Sequence, residues 1–307
     1  MLTLTDISLN KHITPIVEAV LQTTFAARKI APVVPVDDSE FAYRVWNKEH
    51  LRYIDTRVGE RGKAKPLDHG MEWEEDKTIS HAGEIFIPEK ILKKGAKAAI
   101  NFAMEEAELA AQTFNIEEEY VLADWMTDSS GGNFSNRDTP ATKWDATDGD
   151  PAGDISGKIQ TVAEEIGVLP NSLIMTPDVF RELATNHARS VGDHQPTAQE
   201  QAILNYIAAD CLKNCIVTNA IYNEAETTGD EDLTSVWGSE FLWLAYIHPT
   251  PSRSAPSFAG TFENKGGTFT DGEMSKNPRG QYVYIHRDYR TKIRNETAAF
   301  CFYSVLS

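Results

Sequence analysis

The sequence predicts an α+β chain whose elements are long, extended and incompletely buried. Three observations carry that expectation. Residues 88–126 read as one very long amphipathic helix. Residues 36–87, ahead of it, read as a hairpin-like arm with no core of its own. The last strands, at 281–306, are too few for a sheet by themselves and must join elements far earlier in the chain.

The helix is justified by spacing. Apolar or small residues fall at Leu92, Ala96, Ala99, Ala103, Ala107, Ala110 and Phe114, and steps of three and four keep one stripe on one face. Pro88 suits a first helical position, where its missing N–H costs nothing. At the usual rise such a helix runs roughly 55 Å. From residue 98 to 136 it has no Lys, Arg or His, and its acids concentrate at Glu105, Glu106, Glu108 and Glu117-Glu-Glu119.

The arm is justified by alternation and charge. Phe41-Ala-Tyr-Arg-Val-Trp46 alternates like a strand, and Gly59, Gly62, Pro66 and Gly70 signal turns. Residues 72–87 return as a second extended leg carrying Asp68, Glu72, Glu74, Glu75 and Asp76 on or beside it. Opposite charge on the two legs favours pairing across them. Before the arm, residues 1–35 form a strap: Thr14-Pro15 opens a short helix, and Pro32 and Pro35 impose an extended path. The strap has too little apolar surface to fold alone, so it must lie on something.

A second domain is expected over 151–275. Asp154 is read as the N-cap of a helix over 155–166 that ends at Gly167. Ser172-Leu-Ile-Met175 is a short buried strand, and Thr176-Pro177-Asp178 caps the next helix. A helix at 197–209 and strands at 216–222 and 236–248 follow, with an acidic turn at 227–232. Residues 249–280, rich in Gly, Pro and Ser, read as irregular. The strands at 281–306 then return to the first domain, most simply to the long helix, so 88–150 is completed by 276–307.

Composition narrows the function. The 307 residues allow one large domain or two modest ones, and 41% hydrophobic residues support a real core. No apolar run reaches the length of a membrane span, and the opening residues lack the layout of a signal peptide. Three cysteines make no disulfide framework and suit a reducing cytoplasm. A net charge of −17 argues against wrapping nucleic acid or lying on an anionic membrane. The charge is uneven. Residues 151–275 carry 6 basic and 17 acidic residues, whereas 276–307 carry 6 and 2, and 44–65 carry 7 and 3. Two readings follow: acidic body and basic extensions meet across subunit boundaries, or the charge is scattered and solvated.

This order of parts resembles the major capsid proteins of tailed bacteriophages, with the HK97-like fold. The nearest local echoes are Trp144-Asp-Ala-Thr-Asp-Gly-Asp-Pro-Ala-Gly-Asp154, Leu-Pro-Asn171-Ser-Leu-Ile-Met-Thr-Pro-Asp178, Val236-Trp-Gly-Ser-Glu-Phe-Leu-Trp-Leu-Ala-Tyr246 and Pro256-Ser-Phe-Ala-Gly-Thr-Phe262. The resemblance implies an N-terminal arm at 1–35, an extended loop at 36–87, a spine helix and peripheral domain at 88–150 with 276–307, and an axial domain at 151–275. It implies hexamers and pentamers closing into an icosahedral shell around double-stranded DNA, made in the host cytoplasm and carried in the virion. No scaffolding region of about a hundred residues fits before Thr14, which implies a separate scaffolding protein unless the chain is a processed form; the resemblance also implies a portal and leaves a decoration protein open. An encapsulin-type compartment shell shares the fold and is the alternative.

Enzymatic chemistry finds little support. The long helix has no His for a Glu-x-x-His metal motif. Asp145, Asp148, Asp150 and Asp154 lack the downstream Glu of a calcium loop and read as turn and cap residues. Cys211 and Cys215, with His187 and His194, have zinc-ligand types but read more simply as free thiols. No Gly-x-Ser-x-Gly or phosphate loop occurs. A metal-dependent hydrolase is the remaining rival, and no cofactor is expected. The candidate functional residues are therefore intersubunit contacts: Arg52, Arg57, Arg61, Lys63 and Lys65 on the arm, docking against Glu105, Glu106, Glu117, Glu118 and Glu119 of a neighbour.

Overall fold

The computed structural model describes residues 25–58, 62–64, 72–127, 133–192, 199–223 and 232–307. The helix expected after Thr14 lies outside them, as do Arg61, Lys65, His194 and most of the 227–232 turn.

The described chain opens with a single turn, α1 (Ala27–Ile30), and strand β1 (Val33–Val36). The arm root follows as β2 (Glu40–Val45) paired antiparallel with β3 (Glu72–Lys77). One residue later β4 (Ile79–Pro88) begins. It does not belong to the arm: it pairs antiparallel with β13 (Arg279–Ile293), Gly280 opposite Pro88 through Tyr289 opposite Ile79. The expected second leg is thus two strands in two sheets.

The long helix is shorter than its periodicity suggests. A single turn, α2 (Glu89–Leu92), is followed by a break at Lys93-Lys94-Gly95, where Gly95 takes φ 111°, a backbone region that side-chain-bearing residues avoid. The main helix α3 then runs Ala96–Met126, 31 residues and about 46 Å. Its two halves bury different faces. Ala103, Ala107, Ala111 and Phe114, at steps of three and four, pack on Ile85 and Ile87 of β4 and on Val283 and Ile285 of β13. Leu122, Ala123 and Met126 instead enter the central core with Trp237, Trp243 and Phe258.

After β5 (Arg137–Asp138), helix α4 (Pro151–Ile166) ends at Gly167, in the expected left-handed conformation at φ 71°. Its N-cap is Asp150, which accepts from the Gly153 amide at 3.0 Å. Asp154, the expected cap, instead accepts from Trp144 Nε1 at 2.9 Å. Strand β6 (Ser172–Met175) and helix α5 (Pro177–Val191) stand as expected, and α6 is Glu200–Ile207. Then come β7 (Asn214–Val217), the small hairpin β8 (Ile221–Asn223) with β9 (Leu233–Ser235), and β10 (Leu242–Ala245).

The span expected to be irregular contains β11 (Ala259–Asn264) and β12 (Phe269–Lys276), both antiparallel to β13. They are two pieces of one strand path interrupted at 265–268. A Cβ on Gly267 would lie 2.9 Å from the Asn264 carbonyl, so glycine is needed for that detour, and glycine content had read as disorder of pattern. In the first sheet β11 and β12 therefore lie end to end on one edge of β13, with β1 outside β11 and β4 on the other edge of β13.

The last strand, β14 (Ala299–Phe302), leaves that sheet for a second one, ordered β5-β14-β10-β6-β7. This sheet draws strands from both sides of 151–275. It is buried on both faces. Leu173, Met175, Leu242, Leu244, Phe300 and Phe302 face α4, α5 and α6, while Ile174, Trp243, Ala245 and Cys301 face the central core. Among the described residues no helix is long and apolar enough to cross a membrane.

Candidate functional site

The acidic run Glu117-Glu-Glu119 is divided by the helix that carries it. Successive residues turn by about 100°, so the three carboxylates point in three directions. Glu118 and Glu119 turn inward and are 1% and 0% exposed. They are corrections to the expectation of an intersubunit acidic face, because their partners lie in the same chain. Desolvating a carboxylate is costly unless cations and donors surround it.

Glu118 has such surroundings. Arg28 of α1 reaches it with Nε at 3.1 Å and Nη2 at 3.2 Å. Arg287 of β13, fully buried, donates to it through Nη1. Arg287 also grips Glu263 of β11, with Nη2 to Oε2 at 3.1 Å and Nε to Oε1 at 3.3 Å. Arg28 lies 3.6 Å from that same Glu263. Two arginines and two glutamates thus form a neutral cluster joining strap, helix and first sheet. Burial alone pushes Glu263 up, but Arg287 and Arg28, with bonds from Arg287 and Thr268, hold its carboxyl below the ordinary value. Burial would lower Arg287, and Glu118 and Glu263 together raise it.

The cluster continues outward. Arg287 stands 4.1 Å over the Tyr289 ring, and His81 of β4 stacks on the same ring at 4.2 Å. His81 Nδ1 is 3.0 Å from Glu117, the outermost of the three acids. Glu119 has no cation within the cluster. It accepts from the Ala27 amide at 2.6 Å and from Trp237 Nε1. Burial pushes its carboxyl up, those donors oppose the shift, and the charge of Glu118 adds to it.

A second set of charges ties down the arm root. Lys292 of β13 lies 2.9 Å from Asp76 and 3.7 Å from Glu74, and Arg290 is 3.9 Å from Asp76. Tyr43 donates to Glu74, and Arg44 sits 5.1 Å over Trp73. The return leg's acids are therefore met mainly by the basic C-terminal strand, not by the opposite leg. In the register of the root only Glu40 opposite Lys77 joins unlike charges. The +4 balance of 276–307 is thus used largely inside the subunit, where the sequence suggested a boundary contact.

The arm beyond the root contrasts with this. Arg52, Arg57 and Lys63 are exposed, and among the described residues none of them pairs with the helix acids. Arg57 is only 3.9 Å from its neighbour Asp55. Around them Leu51, Val58 and Trp73 are about half exposed, and Tyr53 is 84% exposed. Arg61 and Lys65 lie outside the described residues. On α3, Glu105 is exposed and Glu106 half-buried. The structure brings none of the arm cations to Glu105, Glu106 or Glu117 within the subunit.

The described residues of the rival metal sites have other partners. Among the described residues no group of three or more His, Cys, Asp or Glu side chains could hold a metal ion. Asp145 is bonded to Ser307, Asp150 caps α4 and Asp154 holds Trp144. Cys211 sits in the turn before β7 and Cys215 within it, not on one helical face, and His187 packs edge-on to Tyr206. Burial pushes the Cys215 and Cys301 thiols up to about 12.

No family model matches the chain, and no curated protein matches it in sequence. Solved structures do. A phage-related protein from Bordetella bronchiseptica RB50 superposes with a TM-score of 0.75 at 18% identity, covering 95% of this chain and 96% of that one. The virus-like particle from Pyrococcus furiosus gives a TM-score of 0.54 at 11% identity over 96% and 98%. The capsid of cyanophage P-SCSP1u gives 0.50 at 10% over 91% and 87%. At such identities the likeness is one of fold, and it spans nearly the whole of each chain. A long helix laid on a five-stranded sheet, a two-stranded arm root beside it and a second five-stranded sheet covered by helices are the HK97-like fold.

Proposed function

We propose that the chain is a major capsid protein of a tailed phage or prophage, assembling as hexamers and pentamers into an icosahedral head around double-stranded DNA. The observation that carries this is the arm: a two-stranded root fixed to the body, then a stretch with Leu51, Tyr53 and Val58 exposed and Arg52, Arg57 and Lys63 unengaged by the helix acids. A lone ribbon is marginal in water and gains its order from a partner. The fold likeness to the cyanophage capsid supports a second copy of the same chain as that partner. Each contact is modest, but closed symmetry repeats it many times over. In this reading 36–87 overlies a neighbour, 151–275 lines the capsomer centre, and a separate scaffolding protein, a portal and a decoration protein complete the head. The acidic body suits a shell that encloses DNA without gripping it.

Negative-stain microscopy and sedimentation of the purified chain, alone and with its scaffold, test the proposal. Rings or closed shells are expected. A chain that stays monomeric at high concentration in both settings overturns it. Likeness to the Pyrococcus particle favours a second reading, a compartment shell loaded with enzymes. Gene neighbours separate the two: terminase and portal genes beside the first, a cargo enzyme beside the second.

A further inference from the structure

The first sheet buries one face against α3 and shows the other. On the shown face Tyr284 of β13 stands between Glu84 of β4 and Asp271 of β12. The next row along the strands is Phe86, Tyr282 and Glu273, and the row on the other side is Ala82, His286 and Phe269. The rings form a continuous strip. Phe86 is 4.9 Å from Tyr282, Tyr282 and Tyr284 stack at 6.3 Å, Tyr284 is 6.3 Å from His286, and His286 stacks on Phe269 at 4.6 Å. The four rings from Phe86 to His286 are half-buried, while Phe269 and the three carboxylates are exposed.

Cross-strand ring pairs stiffen a sheet, but the charges around these rings ask for something more. Asp271 has His286 at 3.4 Å, and among the described residues no Lys or Arg pairs with Glu84, Asp271 or Glu273. Desolvation, then the charges of Glu84, Glu273 and Asp271, push the Tyr284 phenol up. A ring with a carboxylate on each side is a seat for a guanidinium: its face attracts the cation, and the carboxylates accept the N–H groups.

The arm carries the converse surface, with Arg52 and Arg57 in solvent beside exposed Leu51, Tyr53 and Val58. Within the subunit its first turn is held elsewhere. Lys48 lies 2.6 Å from Glu165, and His50 Nε2 is 3.1 Å from the Ile166 carbonyl, both at the end of α4.

We propose that the shown face of β4, β13 and β12 receives the arm of a neighbouring copy, with Arg52 and Arg57 meeting Glu84, Asp271 and Glu273 over the Tyr282 and Tyr284 rings. This rests on the capsid assignment and names the surface the arm lies on. It also moves the arm's partner away from α3, where His81 already meets Glu117 and where Glu118 and Glu119 are buried. The dimensions agree. From Tyr282 to His286 the face runs about 13 Å along β13, and residues 51–58 reach about 23 Å when extended, enough to cross it. Opposite charge and rings beside apolar side chains are the ingredients of a specific contact between subunits.

Shell formation by charge-exchanged full-length chains tests this. Glu84→Lys with Asp271→Lys is expected to lower the shell yield several-fold by sedimentation, with the melting midpoint of the subunit unchanged. Adding Arg52→Glu and Arg57→Glu to that chain is expected to restore much of the yield, because both surfaces then carry exchanged signs. Normal shells from the face variant, or no recovery on the exchange, overturn the proposal, while shells from the native chain keep the capsid assignment. A native chain that forms none overturns both. Recovery of Arg52→Glu with Arg57→Glu by Glu105→Lys with Glu106→Lys gives the arm to α3 and also overturns it. Should the reversed variants not fold, cross-linking decides. In a Cys211→Ser background the remaining thiols, Cys215 and Cys301, are buried and poorly ionised. Arg57→Cys with Tyr284→Cys is then expected to give disulfide-linked multimers on mild oxidation. Chains that stay reduced overturn the proposal, as does a disulfide within a monomer, which gives the face to the chain's own arm.

Discussion

The charge cluster under the strap and the outer part of the arm differ in how they hold nearly the same ingredients. Each holds two described arginines. In the cluster, Arg28 and Arg287 meet Glu118 and Glu263 within one subunit, out of water and in balance. On the arm, Arg52, Arg57 and Lys63 stand in solvent. The lesson concerns distance from a core. Where α1, α3, β11 and β13 converge, solvent is largely gone and each charge must be answered at once. Where the arm leaves the body, water answers for the charges.

The largest effect should come from breaking the cluster. Glu118→Gln leaves two arginines facing one carboxylate, and removing one partner of a buried pair costs about 3–5 kcal/mol. Urea unfolding of the isolated subunit reads this directly. A loss indistinguishable from a surface substitution would erase the contrast between the two regions.

Acid titration gives a smaller, signed effect. The folded carboxyl of Glu263 sits below its ordinary value of 4.5, so its contribution is full above that value and is lost as pH falls through the folded one. Glu119 works in the opposite sense. Its folded value is raised, so its burial as a carboxylate weakens the fold at neutral pH, and protonation relieves this as pH falls. Stability should therefore rise slightly on mild acidification and then decline. Glu263→Gln should flatten the decline and Glu119→Gln the rise, as followed by unfolding midpoints at a series of pH values.

The smallest effect on the subunit is expected on the arm. Arg52→Glu with Arg57→Glu and Lys63→Glu should leave the melting midpoint where it was, since these side chains contact solvent. Shell formation, in contrast, should be weakened or abolished. Normal shells from this variant would remove the arm cations from the assembly contact and sharpen the comparison to the apolar residues beside them.

Parts of this arrangement were legible in the sequence because they are local. The strand at Ser172-Leu-Ile-Met175, the left-handed stop at Gly167 and the arm root at Phe41-Ala-Tyr-Arg-Val each depend on neighbours a few residues away. The cluster is not local: residues 28, 118, 263 and 287 come from four elements. Glu118 and Glu119 carried a signal that the acidic run obscured. Each falls four residues before an apolar position of the same helix, Leu122 and Ala123, so the helical repeat already placed them on the buried side. The break at Lys93-Lys94-Gly95 was masked by alanines that continue the repeat across it. The strands at 259–276 were masked by glycines that serve a detour between them.

Helix α3 is shared between two interiors, the first sheet gripping its early alanines and the central core gripping Leu122 through Met126. An axle seated in two bearings cannot turn in one without turning in the other. Any torque applied to the first sheet is thus delivered along the helix to the aromatic centre of the molecule, with Arg28 and Arg287 pinned at Glu118 between the two bearings.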